Sequence, residues 1–117
     1  SIEKISNNDE LKLAIFNSLD EKPNVSQRTL ASNLNVSLGS INYCLKALVS
    51  KGFIKVKNFK KSNNKLSYSY ILTPKGISQK FTLTQQFLKW KLKEYSILQE
   101  EIRSLKNKLS NIESSNE

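Results

Sequence analysis

The 117-residue sequence contains no histidine, no methionine and a single cysteine, with only three glycines and two prolines. Without histidine, the chain lacks the commonest general base and the commonest metal ligand of proteins. Cys44 alone can form neither an internal disulfide nor a usual zinc site, and a lone thiol suits the reducing cytoplasm, where we expect the protein to act. The glycines at 39, 52 and 76 make neither a Walker loop nor a GxGxxG motif. We therefore expect no catalytic residue, no metal site and no cofactor.

Long hydrophobic runs are also missing. No stretch approaches the ~20 apolar residues that a membrane-spanning helix needs, and the N-terminus has no signal-peptide pattern, so we expect no membrane partner. At 38% hydrophobic residues, the chain can still bury one core. A chain of this length suits one compact domain with an appendage.

Acidic residues are absent from the middle third of the chain. Between residues 51 and 93 there are 11 lysines and no Asp, Glu or Arg, so this segment carries the whole excess behind the net charge of +9. A block of positive charge is what a phosphate backbone attracts, because neutralising phosphates releases condensed counterions. A lysine-rich surface that is merely solvated is the alternative interpretation.

Three short helices precede the lysine-rich block. Apolar residues at helical spacing predict helices over residues 9–20, 27–34 and 38–51, with Asn8 or Asp9 capping the first. Ser26 and Ser37 are suited to cap the second and third helices. Only about three residues separate the second helix from the third, which is the spacing of a helix-turn-helix, although helical hairpins in ordinary bundles look similar.

A β-hairpin is predicted next. Residues 53–57 and 66–72 alternate apolar and polar side chains, as half-buried strands do, and the polar residues between them include turn formers. Thr73 and Pro74 then form the start of another helix, because proline is well tolerated at the first helical position. Three helices followed by a hairpin is the element order of a winged helix, with the hairpin as the wing.

The last predicted helix is long and ends in a coiled-coil pattern. No proline interrupts residues 75–113, and from residue 95 the apolar residues repeat at alternating spacings of three and four. Glu101 would face Lys106 of the partner subunit in a parallel pair, although an antiparallel arrangement stays open. We therefore expect a homodimer held by this helix. The expected dimerisation residues are Leu88, Tyr95, Leu98, Ile102, Leu105, Leu109 and Ile112.

Residues 25–31, 36–49 and 51–55, together with 71–76, resemble the winged helix-turn-helix of the bacterial MarR-type transcriptional regulators. Residues 42–48 are most similar to the subgroup associated with exopolysaccharide gene clusters. The resemblance implies a homodimeric DNA-binding protein, mainly α-helical with a small β-hairpin, whose third helix enters the major groove. It further implies a DNA-binding domain over residues 1–76 and a dimerisation helix with a polar tail over residues 77–117. Whether a small-molecule effector exists stays open.

The candidate DNA-binding residues form two groups. Those of the recognition helix combine polar chemistry with an outward or flanking position. They are Ser37, Ser40, Asn42, Tyr43 and Lys46. Capping is the alternative role for Ser37, and packing beneath the wing is the alternative for Tyr43. Those expected to contact the DNA backbone open the second helix or lie on the wing. They are Gln27, Arg28, Lys55, Lys57, Lys60, Lys61 and Lys65.

The main rival hypothesis is a winged-helix adaptor. Such a protein would use the coiled coil to join a complex and the basic surface to bind an acidic protein partner. It would more often expose apolar residues on the third helix, where this sequence offers serine, asparagine, tyrosine and lysine.

Overall fold

The computed structural model describes residues 4–60 and 66–115. Its elements are α1 (Asn7–Glu21), α2 (Gln27–Leu34), α3 (Leu38–Ser50), β1 (Ile54–Lys60), β2 (Leu66–Leu72) and α4 (Pro74–Ser115). The two strands form one antiparallel hairpin. The mainly helical fold class with a small hairpin and a long final helix is thus confirmed.

Side-chain caps fix where most of the helices begin. Ser26 accepts a hydrogen bond from the Thr29 amide at 3.0 Å, and Ser37 accepts one from the Ser40 amide at 3.0 Å. Thr73 does the same for α4, since its hydroxyl accepts from the Gly76 amide at 3.1 Å. Each bond satisfies an amide that has no partner within its own helix.

Two predicted boundaries were wrong. Ser6, and not Asn8 or Asp9, caps α1, because the helix begins at Asn7 and so includes both residues in its first turn. The first strand continues to Lys60, beyond the predicted end at residue 57, because the antiparallel register still pairs Lys60 with Leu66. The predicted turn formers between the strands lie outside the described residues.

The turn between α2 and α3 depends on one residue in the left-handed region. Asn35 has φ 56° and ψ 46°, a conformation that asparagine tolerates better than most residues. The chain reverses there while the Val36 amide donates to the Ala31 carbonyl at 3.0 Å. Gly52, at φ 79°, follows α3 and leads the chain into β1.

One core joins all the elements. The fully buried side chains come from the three helices of the helix-turn-helix region, the first strand and the first half of α4. They are Ile15, Phe16, Leu19, Leu30, Ile41, Leu45, Ile54 and Leu83. Val49 of α3 is 39% exposed, because Ile41, Leu45 and Leu48 define the inner side of that helix.

The long helix α4 has two parts with different surroundings. Leu83 is buried, and Phe87 packs against the core at its margin. Every described residue from Glu94 onward is exposed, and the molecule measures 79 × 29 × 21 Å because this part projects as a rod. Phe81, Leu88 and Leu92 point away from the body and are exposed, so Leu88 is accessible for its predicted role in dimerisation. Among residues 4–60 and 66–115, no helix has the apolar length needed to cross a bilayer.

Candidate nucleic-acid interface

Helix α3 has a buried side and an open side. Ile41, Leu45 and Leu48 fix the inner side against the core, which turns Tyr43 and Lys46 outward. Tyr43 is 77% exposed, so it does not pack beneath the wing. A phenol and an ammonium group on one open helix side can contact base edges, sugars and phosphates.

The two serines at the start of α3 bind each other. The Ser37 hydroxyl accepts from the Ser40 amide and donates to the Ser40 hydroxyl at 2.9 Å. The capping role considered for Ser37 is therefore present. Both side chains are nevertheless exposed, and each hydroxyl keeps further bonding capacity toward solvent or a ligand.

A hydrogen-bond chain joins the wing to both helices of the helix-turn-helix. Asn42 donates from its side-chain amide to Gln27 Oε1 at 3.2 Å, and Gln27 Nε2 donates to the Tyr70 hydroxyl at 3.1 Å. Gln27 and Asn42 were expected to contact DNA, yet the structure brings them together at the half-buried junction of α2, α3 and β2. We call this group the Gln27 network.

Tyr70 is the member of the Gln27 network that sequence reasoning missed. The register pairs Tyr70 with Val56, and two residues along each strand it pairs Leu72 with buried Ile54. Side chains two apart in a strand share a face, so the alternation of β2 already places Tyr70 on the core-facing side of the wing. No pattern in the sequence indicates that the first turn of α2 lies close enough to the Tyr70 hydroxyl for a hydrogen bond.

We expect Tyr70→Phe to loosen the wing without unfolding the domain. The change removes the acceptor for Gln27 Nε2 and keeps the ring, so the free energy of unfolding should fall by about 1 kcal/mol. Urea unfolding followed by circular dichroism measures that change. Tyr68→Phe is the matched control, since Tyr68 is exposed on the same strand and should give no measurable loss.

The wing presents lysines on its outer face. Lys55 and Lys57 are exposed and pair across the hairpin with Ile71 and Ser69, on the opposite face from buried Ile54. Lys60 belongs to β1, whereas Lys61 and Lys65 lie outside the described residues. The structure therefore brings Lys55 and Lys57 onto one surface.

Arg28 lies in the exposed first turn of α2. Asp20, an acid at the end of α1, forms an ion pair with Lys80 of α4. A cation near the amino end of a helix adds to the positive end of the helix dipole, where an anion is stabilised.

Cys44 lies half-buried on the flank of α3 and packs against the core. Burial raises the pKa of the Cys44 thiol, and the nearby ammonium of Lys12 lowers it by a smaller amount. A thiol with a raised pKa is poorly nucleophilic, and Cys44 packs here as a small apolar side chain.

Comparisons with known proteins agree with this geometry. Residues 8–55 match the family model for a winged helix-turn-helix DNA-binding domain. No curated protein matches the sequence.

Solved structures resemble nearly the whole chain. MepR, a transcription regulator of the Staphylococcus aureus multidrug efflux pump MepA, is 21% identical with a TM-score of 0.60, over 97% of this chain and 82% of MepR. A crystal structure of the S. aureus MepR–DNA complex matches at 21% identity and TM-score 0.60, over 97% of this chain and 79% of that one. A single-site mutant of ZitR from Lactococcus lactis is 20% identical with a TM-score of 0.62, over 100% of this chain and 81% of ZitR.

At these identities the structural likeness establishes the fold, and the family match covers the α1–α3 region that presents Tyr43 and Lys46. The chain therefore has a winged helix-turn-helix fold extended by a long C-terminal helix, and residues 8–55 within it are similar to a family of DNA-binding domains.

Proposed function

We propose that this chain is a homodimeric, sequence-specific DNA-binding transcriptional regulator of the MarR type that acts in the cytoplasm. The observation that carries the proposal is the open side of α3, which presents Tyr43 and Lys46 within a matched DNA-binding domain. Neighbours of the same fold include a transcription regulator and a protein bound to DNA. The similarity of residues 42–48 to the exopolysaccharide-associated subgroup supports control of genes of that kind.

In this proposal α3 lies in the major groove. Ser40, Tyr43 and Lys46 face base edges and the adjoining phosphates, because they occupy the exposed side of the helix. Ser37 holds the amino end of α3 in position and offers its hydroxyl at the groove edge. Gln27 and Asn42 contribute mainly by fixing α3 against α2 and the wing, since their side chains bind one another.

The wing and α2 supply the contacts to the DNA backbone. Lys55 and Lys57 extend from the outer face of the hairpin, and Lys60, Lys61 and Lys65 follow them along the sequence. Arg28 adds a charge at the amino end of α2. Such contacts set affinity and orientation, while the side chains on α3 set the preferred sequence.

If the wing lysines bind phosphate, they should contribute to the salt dependence of DNA binding. The logarithm of the association constant falls with the logarithm of salt concentration by about 0.9 per phosphate neutralised. We expect Lys55→Ala and Lys57→Ala each to flatten this slope by ~1 and to weaken all DNA sequences alike. Fluorescence anisotropy of labelled duplexes across a salt series measures the slope.

Lys89→Ala is the matched control for the wing lysines. Lys89 is an exposed lysine of α4, so its removal lowers the net charge equally without touching the proposed interface. If the wing variants and the Lys89 variant change the slope by the same amount, the lysines act only through net charge and the wing does not bind phosphate.

A further inference from the structure

Ten exposed apolar side chains of α4 form one stripe along the helix, while Ile97, also exposed, lies off it. The upper seam consists of Tyr95, Leu98, Ile102, Leu105, Leu109 and Ile112, all exposed in the single chain. The lower stripe consists of Ile77, Phe81, Leu88 and Leu92, whose exposed fractions lie between 56% and 64%. The steps that join these residues are of three, four or seven, which keeps them on one side of an α-helix.

We infer that two copies of the chain pair in parallel and in register along the whole stripe, so that the two winged-helix bodies lie side by side. This inference rests on the proposed homodimer and adds its geometry. A second copy is the fitting occupant because the stripe repeats with the heptad spacing of a coiled coil, which a helix of the same sequence matches.

Charges beside the upper seam favour the parallel register. The heptad places Glu101 against Lys106 of the partner subunit and Lys108 against Glu113 of the partner subunit. Each contact occurs twice by symmetry, and all of them join opposite charges. These flanking pairs set orientation and register more than stability.

A short antiparallel pairing satisfies fewer of these features. Centred between Ile102 and Leu105, it would place Glu101 near Lys108 of the partner subunit, which is favourable. The two lower stripes would then lie at opposite ends of the dimer, where Phe81 and Leu88 would stay in water. Contiguous apolar surface of this kind is normally covered.

A fully overlapped antiparallel pairing covers the lower stripes but opposes like charges. Centred between Tyr95 and Leu98, it would bring Glu94 next to Glu101 of the partner subunit, twice by symmetry. Like charges in facing positions are destabilising. Only the parallel register covers the whole stripe and also pairs opposite charges beside it.

Lys91 is the one polar residue that the parallel register directs toward the pairing face between Leu88 and Tyr95. Its ammonium lies 3.5 Å from Glu94 Oε2 and 4.6 Å from the centre of the Trp90 ring. These contacts draw the charge to the side of its own helix and offset the repulsion from the partner's Lys91.

Single-cysteine variants test this arrangement in the full chain. In a Cys44→Ala background, Leu88→Cys and Leu109→Cys should each form a disulfide-linked dimer on mild oxidation, because a parallel register places identical residues side by side. In the short antiparallel pairing, two copies of residue 109 would lie ~16 Å apart along the axis. In the full antiparallel pairing, two copies of residue 88 would lie ~25 Å apart. Both distances exceed the ~7 Å limit between the Cα atoms of a disulfide.

Mixing two cysteine variants that carry different tags tests the two antiparallel pairings. A disulfide between a Leu98→Cys chain and a Leu109→Cys chain would demonstrate the short antiparallel pairing. A disulfide between a Leu88→Cys chain and a Leu105→Cys chain would demonstrate the fully overlapped antiparallel pairing. Either link overturns the inference, as does linkage at residue 109 without linkage at residue 88. Helix content by circular dichroism shows that each variant is folded. Sedimentation of the unmodified chain as a monomer would instead contradict the proposed homodimer itself.

Discussion

Placing lysines at Ile102 and Leu105 is expected to convert the protein into a monomer. Both side chains are exposed in the single chain, at 44% and 65%, and both lie in the seam that the proposed dimer buries. An unpaired charge forced into a dry interface costs about 3–5 kcal/mol, and each ~1.4 kcal/mol is tenfold in affinity. We therefore expect the dissociation constant of the dimer to rise at least ~100-fold in sedimentation equilibrium.

The matched control adds the same charge on another side of the helix. Ser104 and Asn107 are exposed and lie off the seam, so Ser104→Lys with Asn107→Lys should leave the dimer intact. Equal loss of the dimer in both double variants would mean that net charge, and not the seam, governs assembly. An unmodified chain that is monomeric at micromolar concentration would contradict the homodimer directly.

The second large effect is expected at Gly76, in the first turn of α4. A Cβ built on this residue would lie 1.9 Å from the Phe53 carbonyl oxygen and 2.9 Å from its carbonyl carbon. The same oxygen accepts a hydrogen bond from the Thr73 amide at 3.0 Å, so it cannot move freely. Gly76→Ala should therefore separate α4 from the start of β1 and destabilise the fold by about 3 kcal/mol.

Urea unfolding of Gly76→Ala beside Gly39→Ala tests this contact. The Cβ of an alanine at residue 39 would meet only Ser37 Oγ, at 3.9 Å, so that variant should be as stable as the unmodified chain or slightly more so. An equally stable Gly76→Ala variant would show that α4 does not approach the backbone of Phe53 this closely.

The helix-turn-helix was predictable because its signals are local. Ser26 and Ser37 each cap a helix whose apolar spacing is visible in the sequence, and Gly52 takes the left-handed conformation that ends α3. The heptad steps from Tyr95 onward predicted a coiled-coil segment, and this part of α4 is helical and exposed along its whole length. These signals each depend on residues a few positions apart.

The features that escaped prediction depend on contacts between distant segments. The Gln27 network joins residues 43 positions apart along the chain, and no local pattern indicates that Tyr70 reaches Gln27. Phe81 and Leu88 are large and apolar, but these properties alone do not indicate whether a residue of α4 meets the body or a partner subunit. They face outward because Leu83 and Phe87 already fill the side of α4 that meets the core.

In the proposed dimer, the open side of α3 contacts base edges in each of the two copies, so that the protein recognises two DNA half-sites. Selection of duplexes from a random library by the purified chain, repeated at two salt concentrations, tests this claim most directly. We expect an inverted repeat whose half-sites lie ~34 Å apart, one turn of the double helix. We also expect the Lys46→Ala chain to lose preference at particular base positions while it keeps its non-specific affinity. If no sequence is enriched at either salt concentration, the protein does not read DNA through α3, and the adaptor hypothesis takes precedence.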